Sequence, residues 1–337
     1  MSLDAPSAAL APSRAAVSGV RPGPAMPRYR LVALGALGAG GGRPTAINRA
    51  GWVAGFAAIR GGVNHAFLSR DERMRDLGAL PGLPTSMAAG INDAGTVVGL
   101  SRGPRLSDAS DAWVWRQGHF KDLGRTLDSR RSGATAINSS GWVVGWFVTR
   151  SGKQQGFLWA AGKMRKLPLE IAIGVNNRGE VVGMHGEDGA LVRGGGATAI
   201  GLDEKKSFVP SAVNDAGEMA GQLWGKSGAY LYSAGHVSRL ERGGFVASAA
   251  HGINNKGDVV GYAILKKPTN GLVVEGHGVL WRGDRIIDLN DAVVGRRRWV
   301  VEDAVAINDR GQIACSGYLV GRQVSEALLL TPIQRAR

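Results

Sequence analysis

Seven asparagines constrain what this chain can fold into: Asn48, Asn92, Asn138, Asn176, Asn214, Asn254 and Asn308. Each ends a small-aliphatic-Asn string, and each is followed three residues on by glycine: Gly51, Gly95, Gly141, Gly179, Gly217, Gly257 and Gly311. The steps between them cluster around roughly 40 residues, the period of a repeat architecture. Asparagine at the first turn position can bond backbone two residues on. Glycine at the fourth accepts the left-handed conformation that closes a type I turn with a bulge. The string therefore predicts a hairpin turn. A β-branched strand follows, such as "TVVG" at 96 or "WVVG" at 142.

After a variable loop comes a third strand, "HAFLS" at 65 or "DAWVW" at 111, and then a fourth, "RMRDLG" at 73 or "HFKDLG" at 119. Four strands per repeat predict a propeller blade. A stacked β-solenoid is the competing geometry, and two features favour the ring. The residue two before each asparagine is small: Ala46, Gly90, Ala136, Gly174, Ala212, Gly252 and Ala306. Blades that converge on an axis need such a taper. The seventh unit also stops after its third strand, "EALLLTPI", while "RYRLVALG" at 28–35 stands as a spare fourth strand before the first unit. Pairing the two removes the open sheet edges, where an open array would need polar caps.

The expectation is an all-β, seven-bladed propeller of four-stranded antiparallel blades over residues 28–333, its last blade closed by the N-terminal strand. An Ala/Ser/Pro-rich tail, 1–27, is expected to be disordered, and 334–337 form a short basic C-terminal tail.

The units "GWVAGFAAIRGGVNHAFLSRDERMRDLGALPG" and "WVVEDAVAINDRGQIACSG…EALLLTP" resemble the bacterial HAF-repeat family, named for a His-Ala-Phe triplet present here as His65, Ala66 and Phe67. The resemblance spans nearly the whole chain after the tail. It implies a propeller-like extracellular repeat protein, and it brings no assigned activity and no catalytic residues. The triplet has decayed to Asp111-Ala112-Trp113, Gln155-Gly156-Phe157 and His277-Gly278-Val279. That loss argues against a catalytic device repeated around the ring.

Chemistry of enzymatic type is sparse. His65, His119, His185, His236, His251 and His277 are scattered without metal-ligand spacing, so neither a metal nor another cofactor is expected. No G-x-S-x-G elbow exists. "LWGKSG" at 223 lacks the first glycine of a phosphate loop, since Ala220 stands there, and "GALGAGGGR" at 35 enters no helix. His251, the one ionisable group just before a turn, reads as a core or channel histidine. The pairs Asp108/Asp111 and Glu187/Asp188 read as solvated acids, although an acid pair spanning two blades is what glycoside hydrolysis needs. Cys315, the one cysteine, replaces a strand-ending glycine and reads as a small buried hydrophobe.

Trp52, Trp113, Trp115, Trp142, Trp159 and Trp281 lie on strands and predict packing between blades. No Sec-type leader or spanning apolar run is present, which leaves the compartment unknown: cytoplasmic, or exported by another route with the tail as signal.

Partner binding is expected on the loops between second and third strands, which vary while the Asn-to-Gly turns do not; compare "MHGEDG" at 184 with "YAILKKPTNGLVVEG" at 262. In a propeller these loops share a face with the blade-to-blade crossings. The chain has a net charge of +14, which favours anionic partners. The candidate partner-binding residues are Arg102, Arg105, Arg150, Lys153, Lys226, Lys266, Lys267 and Arg322, with Trp146 and Trp224 entering the loops as stacking platforms. Arg60 also lies on these loops. The crossings add Arg43, Arg125, Arg130, Arg131, Arg296, Arg297 and Arg298, offset by Asp203, Glu204, Glu302 and Asp303.

The resulting expectation is a monomeric, non-enzymatic binding platform whose basic loop face meets an acidic glycan, acidic protein or nucleic acid. Two alternatives stand beside it. One is an enzyme acting on a saccharide or small molecule at the central channel, with two ionisable groups meeting at one mouth. The other is a secreted effector docking on a host protein. The plain counter-reading of the charge is a solvated surface of mixed sign.

Overall fold

Every Asn-x-x-Gly string makes the same turn. In the first, Asn48 N–H donates to the Trp52 carbonyl and Gly51 N–H to the Asn48 carbonyl, both at 3.0 Å. The seven turn glycines have φ between +75° and +87°, where a side chain would be strained. The asparagine side chain locks the turn: its Oδ1 accepts from the backbone N–H four residues on in all seven copies, at 2.9–3.0 Å.

The computed structural model describes residues 26–334, apart from 39, 106–107, 128, 130, 204–205, 266–275, 296–297 and 323. Nearly all of the expected N-terminal tail, most of the C-terminal one, and Arg130, Glu204, Lys266, Lys267, Arg296 and Arg297 lie outside the described residues. The strands form seven four-stranded antiparallel blades. Blade 1 is Gly42–Ile47, Val53–Ala58, Asn64–Arg70 and Arg73–Gly78, from the axis outward. Blades 4 and 5 are joined edge to edge through Gly196–Asp203 and Lys206–Val213. Blade 7 is built from Trp299–Ile307, Ile313–Leu319 and Glu326–Pro332. The N-terminal strand Tyr29–Ala33 closes it, with Tyr29 opposite Pro332 and Ala33 opposite Leu328. Leu34 N–H continues the ladder to the Ala327 carbonyl at 2.9 Å.

The core lies between blades, because alternate residues of a strand face opposite neighbours. Val53 shares a buried cluster with Ala314 and Ala327 of blade 7, whereas Ala54 shares one with Ala88 and Trp113 of blade 2. Trp113 and Trp281 are fully buried. Trp52 lies over the turn glycine of the next blade, Gly95, and Trp142 over Gly179. Trp146 belongs to the strand Val143–Val148, half-buried against Gly133, and not to the loop that follows. The expected taper has a direct cause: a Cβ at Gly90 would lie 3.3 Å from Ala136 Cα of the next blade, and one at Gly252 3.2 Å from Ala306 Cα.

A second small position is set within the blade. The first strand bulges, and its carbonyl crowds the facing strand. A Cβ at Gly145 would stand 2.1 Å from the Gly133 carbonyl oxygen, and one at Gly99 2.0 Å from that of Met87. Blade 7 has a further bulge at Val301/Asp303, which moves this role to Gly317, 2.3 Å from the Val300 carbonyl oxygen on the same measure. Cys315 is thereby left room for a side chain and is wholly buried. Gly145→Ala is expected to cost about 3 kcal/mol as overpacking against backbone. Gly196→Ala, where nothing lies within 4 Å of the added carbon, is expected to leave the urea midpoint in place. Equal midpoints for the two variants would contradict this account.

Two helical turns, Gly124–Leu127 and Leu289–Ala292, interrupt the otherwise all-β order. The first follows the pair Asp122-Leu123, and the second begins on the leucine of Asp288-Leu289. Asp288 caps the second by accepting from Asn290 N–H.

Candidate functional site

A belt of Ile47, Ile91, Ile137, Val175, Val213, Ile253 and Ile307 narrows the central channel and separates two shallow mouths. The mouth on the Asn-turn side, about 190 Å³, carries Asp93, Asp215 and Asp309 beside Arg49, Ser139, Asn177 and Asn255. These side chains are tied to one another and to neighbouring backbone. Asn255 Nδ2 donates to both Asp215 Oδ2 and Asp309 Oδ2 at 3.0 Å, and Asp93 Oδ1 accepts from Arg49 N–H at 2.8 Å.

The mouth on the loop side, about 230 Å³, is lined mostly by small and aliphatic residues. Thr45 and Thr135 line it too, but their hydroxyls face backbone carbonyls of their own and the next blade. His251 also lines it, and behind it His251 Nδ1 stands 3.0 Å from Asp303 Oδ1, with the Tyr262 ring 5.5 Å from the imidazole. Asp303 Oδ1 nevertheless has no hydrogen-bond partner among the described residues. The contact is one of charge when His251 is protonated, without the aligned hydrogen bond that orients a catalytic base.

The triplet histidines serve the outer strands. His65 Nδ1 lies 3.0 Å from Asp76, which also accepts from Gly78 N–H at 2.7 Å. His277 meets Asp288 in the same way. Gln155 of blade 3 donates to the Leu167 and Leu169 carbonyls instead.

The described basic residues named from sequence differ in exposure. Arg60, Arg105, Lys153, Lys226 and Arg322 are exposed, and Arg102 is half-buried at its strand end. The Arg105 loop folds around its own acid, with Asp108 Oδ2 accepting from Arg105 N–H at 2.8 Å. Trp224, 64 % exposed, stands with Lys226 beside a hollow lined by Val209, Gln222 and Leu223. Much of the remaining positive charge lies on outer edge strands: Arg73, Arg75, Lys121, Lys163, Arg165, Lys166 and Arg239 are exposed there. Charge on an open edge hinders strand addition by another chain.

One place on the loop side does gather charge. A cleft of about 850 Å³ between blades 2 and 3 is lined by Arg125 and Arg131 from the crossing, Arg150 from the variable loop, and Asp111 from the third strand of blade 2. Gly124, Ser129, Val148, Thr149 and Gly152 complete it. The walls hold themselves. Ser129 Oγ lies 2.8 Å from the Arg131 carbonyl and 2.6 Å from that of Val148, and Thr149 Oγ1 donates to the Lys153 carbonyl at 3.0 Å. Burial and the nearby Asp122 charge raise the Asp111 carboxyl above the usual carboxylate range, with Arg125 acting the other way.

From the sequence Asp111 reads as a solvated surface acid and Arg125 and Arg131 as crossing charges; the structure brings the three to one cleft. The signal for the cleft was Asp111 standing where the triplet has histidine. Among the described residues no group of three or more His, Cys, Asp or Glu side chains could hold a metal ion, and no helix is long and apolar enough to cross a membrane.

No family model and no curated protein sequence matches the chain. Solved structures do. The β-propeller domain of the Trilobed protease from Pyrococcus furiosus, described as having an open velcro topology, aligns with a TM-score of 0.56 at 14 % identity, over 88 % of this chain and 96 % of that one. YCF48 bound to D1 peptide aligns with a TM-score of 0.53 at 11 % identity, over 93 % and 100 %. Against Pyrococcus horikoshii acylaminoacyl peptidase the TM-score is 0.48 at 14 % identity, over 73 % of this chain, which spans 44 % of that enzyme's length. The shared feature is the propeller; where the Trilobed protease domain is described as open, here the N-terminal strand closes the ring.

Proposed function

We propose that the chain is a binding propeller whose loop face, centred on the cleft between blades 2 and 3, takes an anionic segment of a partner protein. The observation that carries this reading is the convergence of Arg125, Arg131 and Arg150 on one cavity from two different connections. Guanidinium forks suit carboxylate and phosphate groups. A discrete cleft suits a short segment better than a continuous polyanion, and aromatic platforms of the kind single-strand binders use are few on this face. A propeller of the same fold that binds a peptide, YCF48, is consistent with the choice.

The test is salt-dependent retention. Three ionic contacts would weaken binding to a DNA resin by roughly 40-fold between about 0.05 and 0.2 M salt, given a log–log slope near 0.9 per contact. Poly-glutamate should be retained by the same residues, and Arg125→Glu with Arg131→Glu should abolish retention on both resins. Salt-insensitive retention, or retention unchanged in the double variant, would count against the reading. A small-molecule site at the loop-side channel mouth is the second reading, favoured by His251 and Asp303; the missing hydrogen bond at Asp303 weighs against its catalytic form.

A further inference from the structure

Blade 2 departs from its own repeat at one place. In blades 1 and 6 the histidine leading the third strand meets the aspartate of the fourth, His65 with Asp76 and His277 with Asp288. Blade 2 keeps the aspartate, Asp122, but has Asp111 in the histidine's position. The register is unchanged, since Asp122 pairs with Trp113 as Asp76 pairs with Phe67. A second carboxyl therefore stands where other blades hold an imidazole. It is not turned out to bulk water; it lines the cleft together with the three arginines.

We propose that this cleft receives the free carboxyl terminus of a partner protein, the α-carboxylate on Arg125 and Arg131 and the amide N–H of the last residue on Asp111. The inference rests on the anion-binding reading of the loop face and names the ligand of that face. Arg125 and Arg131 are both exposed and both line the cleft, which sets two guanidinium groups where an incoming oxyanion would meet them. Asp111 decides between oxyanions. A phosphate or sulfate polymer brings no donor for it and is repelled by it, whereas a peptide end brings an N–H beside its carboxylate. The Ser129 and Thr149 hydroxyls are committed to backbone carbonyls and add no competing anion site. The volume is that of a small-ligand pocket, enough for a chain end and not for a duplex.

The full chain is panned against a library of randomised heptapeptides tethered by their amino ends, with free carboxyl ends. Selected peptides are then measured in solution as free acids and as carboxyl-terminal amides. The expected result is enrichment of sequences whose affinity falls at least tenfold on amidation. An equal loss is expected in Arg125→Gln and Arg131→Gln, both exposed positions, with the melting temperature unchanged. In Asp111→Asn, inorganic phosphate should compete at least fivefold better than it does against the unmodified protein. No enrichment, or enriched peptides indifferent to amidation, overturns the proposal, as does phosphate competing equally well against both proteins. If the peptides fail while the DNA and poly-glutamate resins still retain the protein in a salt-dependent way, only this inference falls. If all fail, the reading of the face falls with it.

Discussion

Removal of residues 1–34 is expected to leave no soluble monomer, whereas removal of 1–25 should leave the melting temperature where it was. The difference is the strand Tyr29–Ala33 with Leu34. Tyr29 is fully buried and Leu34 nearly so; Leu31 and Ala33 pack on the cluster that holds Tyr29, while Leu34 joins the cluster shared with Val53 and Phe67 of blade 1. The Tyr29 carbonyl also accepts from Val294 N–H at 2.9 Å, tying the strand to the crossing between blades 6 and 7. Burial of a large apolar side chain contributes about 1.5–3 kcal/mol. Leu34, the Tyr29 ring less the cost of its buried hydroxyl, unpartnered among the described residues, the partly buried side chains and the ladder together come to roughly 5 kcal/mol, against about 5–15 kcal/mol for a whole domain.

Deletion also bares the edge of Glu326–Pro332, whose middle is Ala-Leu-Leu-Leu. A bare apolar edge recruits other chains, so the expected product is aggregate. A synthetic peptide of residues 28–34 added during refolding should restore monomer by completing the sheet. A truncated chain that melts like the longer one would show that the closure is not what stabilises the ring.

The ring was legible in the sequence because propeller geometry restricts side chains at fixed places. The left-handed turn glycines, the small residue two before each asparagine and the orphan fourth strand at 28–35 each had a physical cause that a linear reading could name. The helical turns were not legible, since four-residue helices need a cap and a crossing more than a periodicity. The additional bulge of blade 7 showed only as an unexplained Cys315 where a glycine was expected.

The site was legible to a lesser degree. Sequence located positive charge on the loop face by loop membership, yet a residue's neighbours across a crossing are not recorded in its own loop. Arg125 and Arg131 come to Arg150 only because blade 3 stands beside blade 2, and Lys163, Arg165 and Lys166 of the same blade guard its outer edge instead. Trp146 resembled a loop aromatic because the repeated Val-Val-Gly string ends at Gly145, whereas the strand runs on to Val148. The departure of Asp111 from the histidine pattern was visible throughout. What it faced was not.

The asparagine itself does more than the turn required of it, and Asn138→Asp separates its two roles. Each side chain also donates from Nδ2 to the carbonyl of the corresponding asparagine in the next blade. The bonds run Asn48 to Asn92, Asn92 to Asn138, and onward through Asn176, Asn214 and Asn254 to Asn308, at 3.0–3.2 Å. The circuit closes from Asn308 back to Asn48 at 2.9 Å, across 260 residues. All seven are buried.

Aspartate at 138 keeps the shape and the oxygen that accepts from Trp142 N–H, so the turn survives. The donor to the Asn176 carbonyl at 3.0 Å becomes a carboxylate oxygen facing another oxygen. Blade 3 suits the test because its fourth residue on is Trp142, whereas Asn176, Asn214 and Asn254 also face Glu180, Glu218 and Asp258.

An unsatisfied buried carbonyl and an unpaired buried carboxylate together are expected to cost about 3–5 kcal/mol at neutral pH. The melting temperature should fall on the order of 10 °C. The introduced carboxyl can donate when protonated, so its folded-state pKa is raised above that of the unfolded chain. The variant's deficit is then smallest below about pH 4, where both states hold the proton, and grows as pH rises through the folded-state value. A deficit under about 1 kcal/mol at pH 7, or one flat from pH 3 to 8, would reduce the circuit to seven independent turns and leave the blades held by side-chain packing alone.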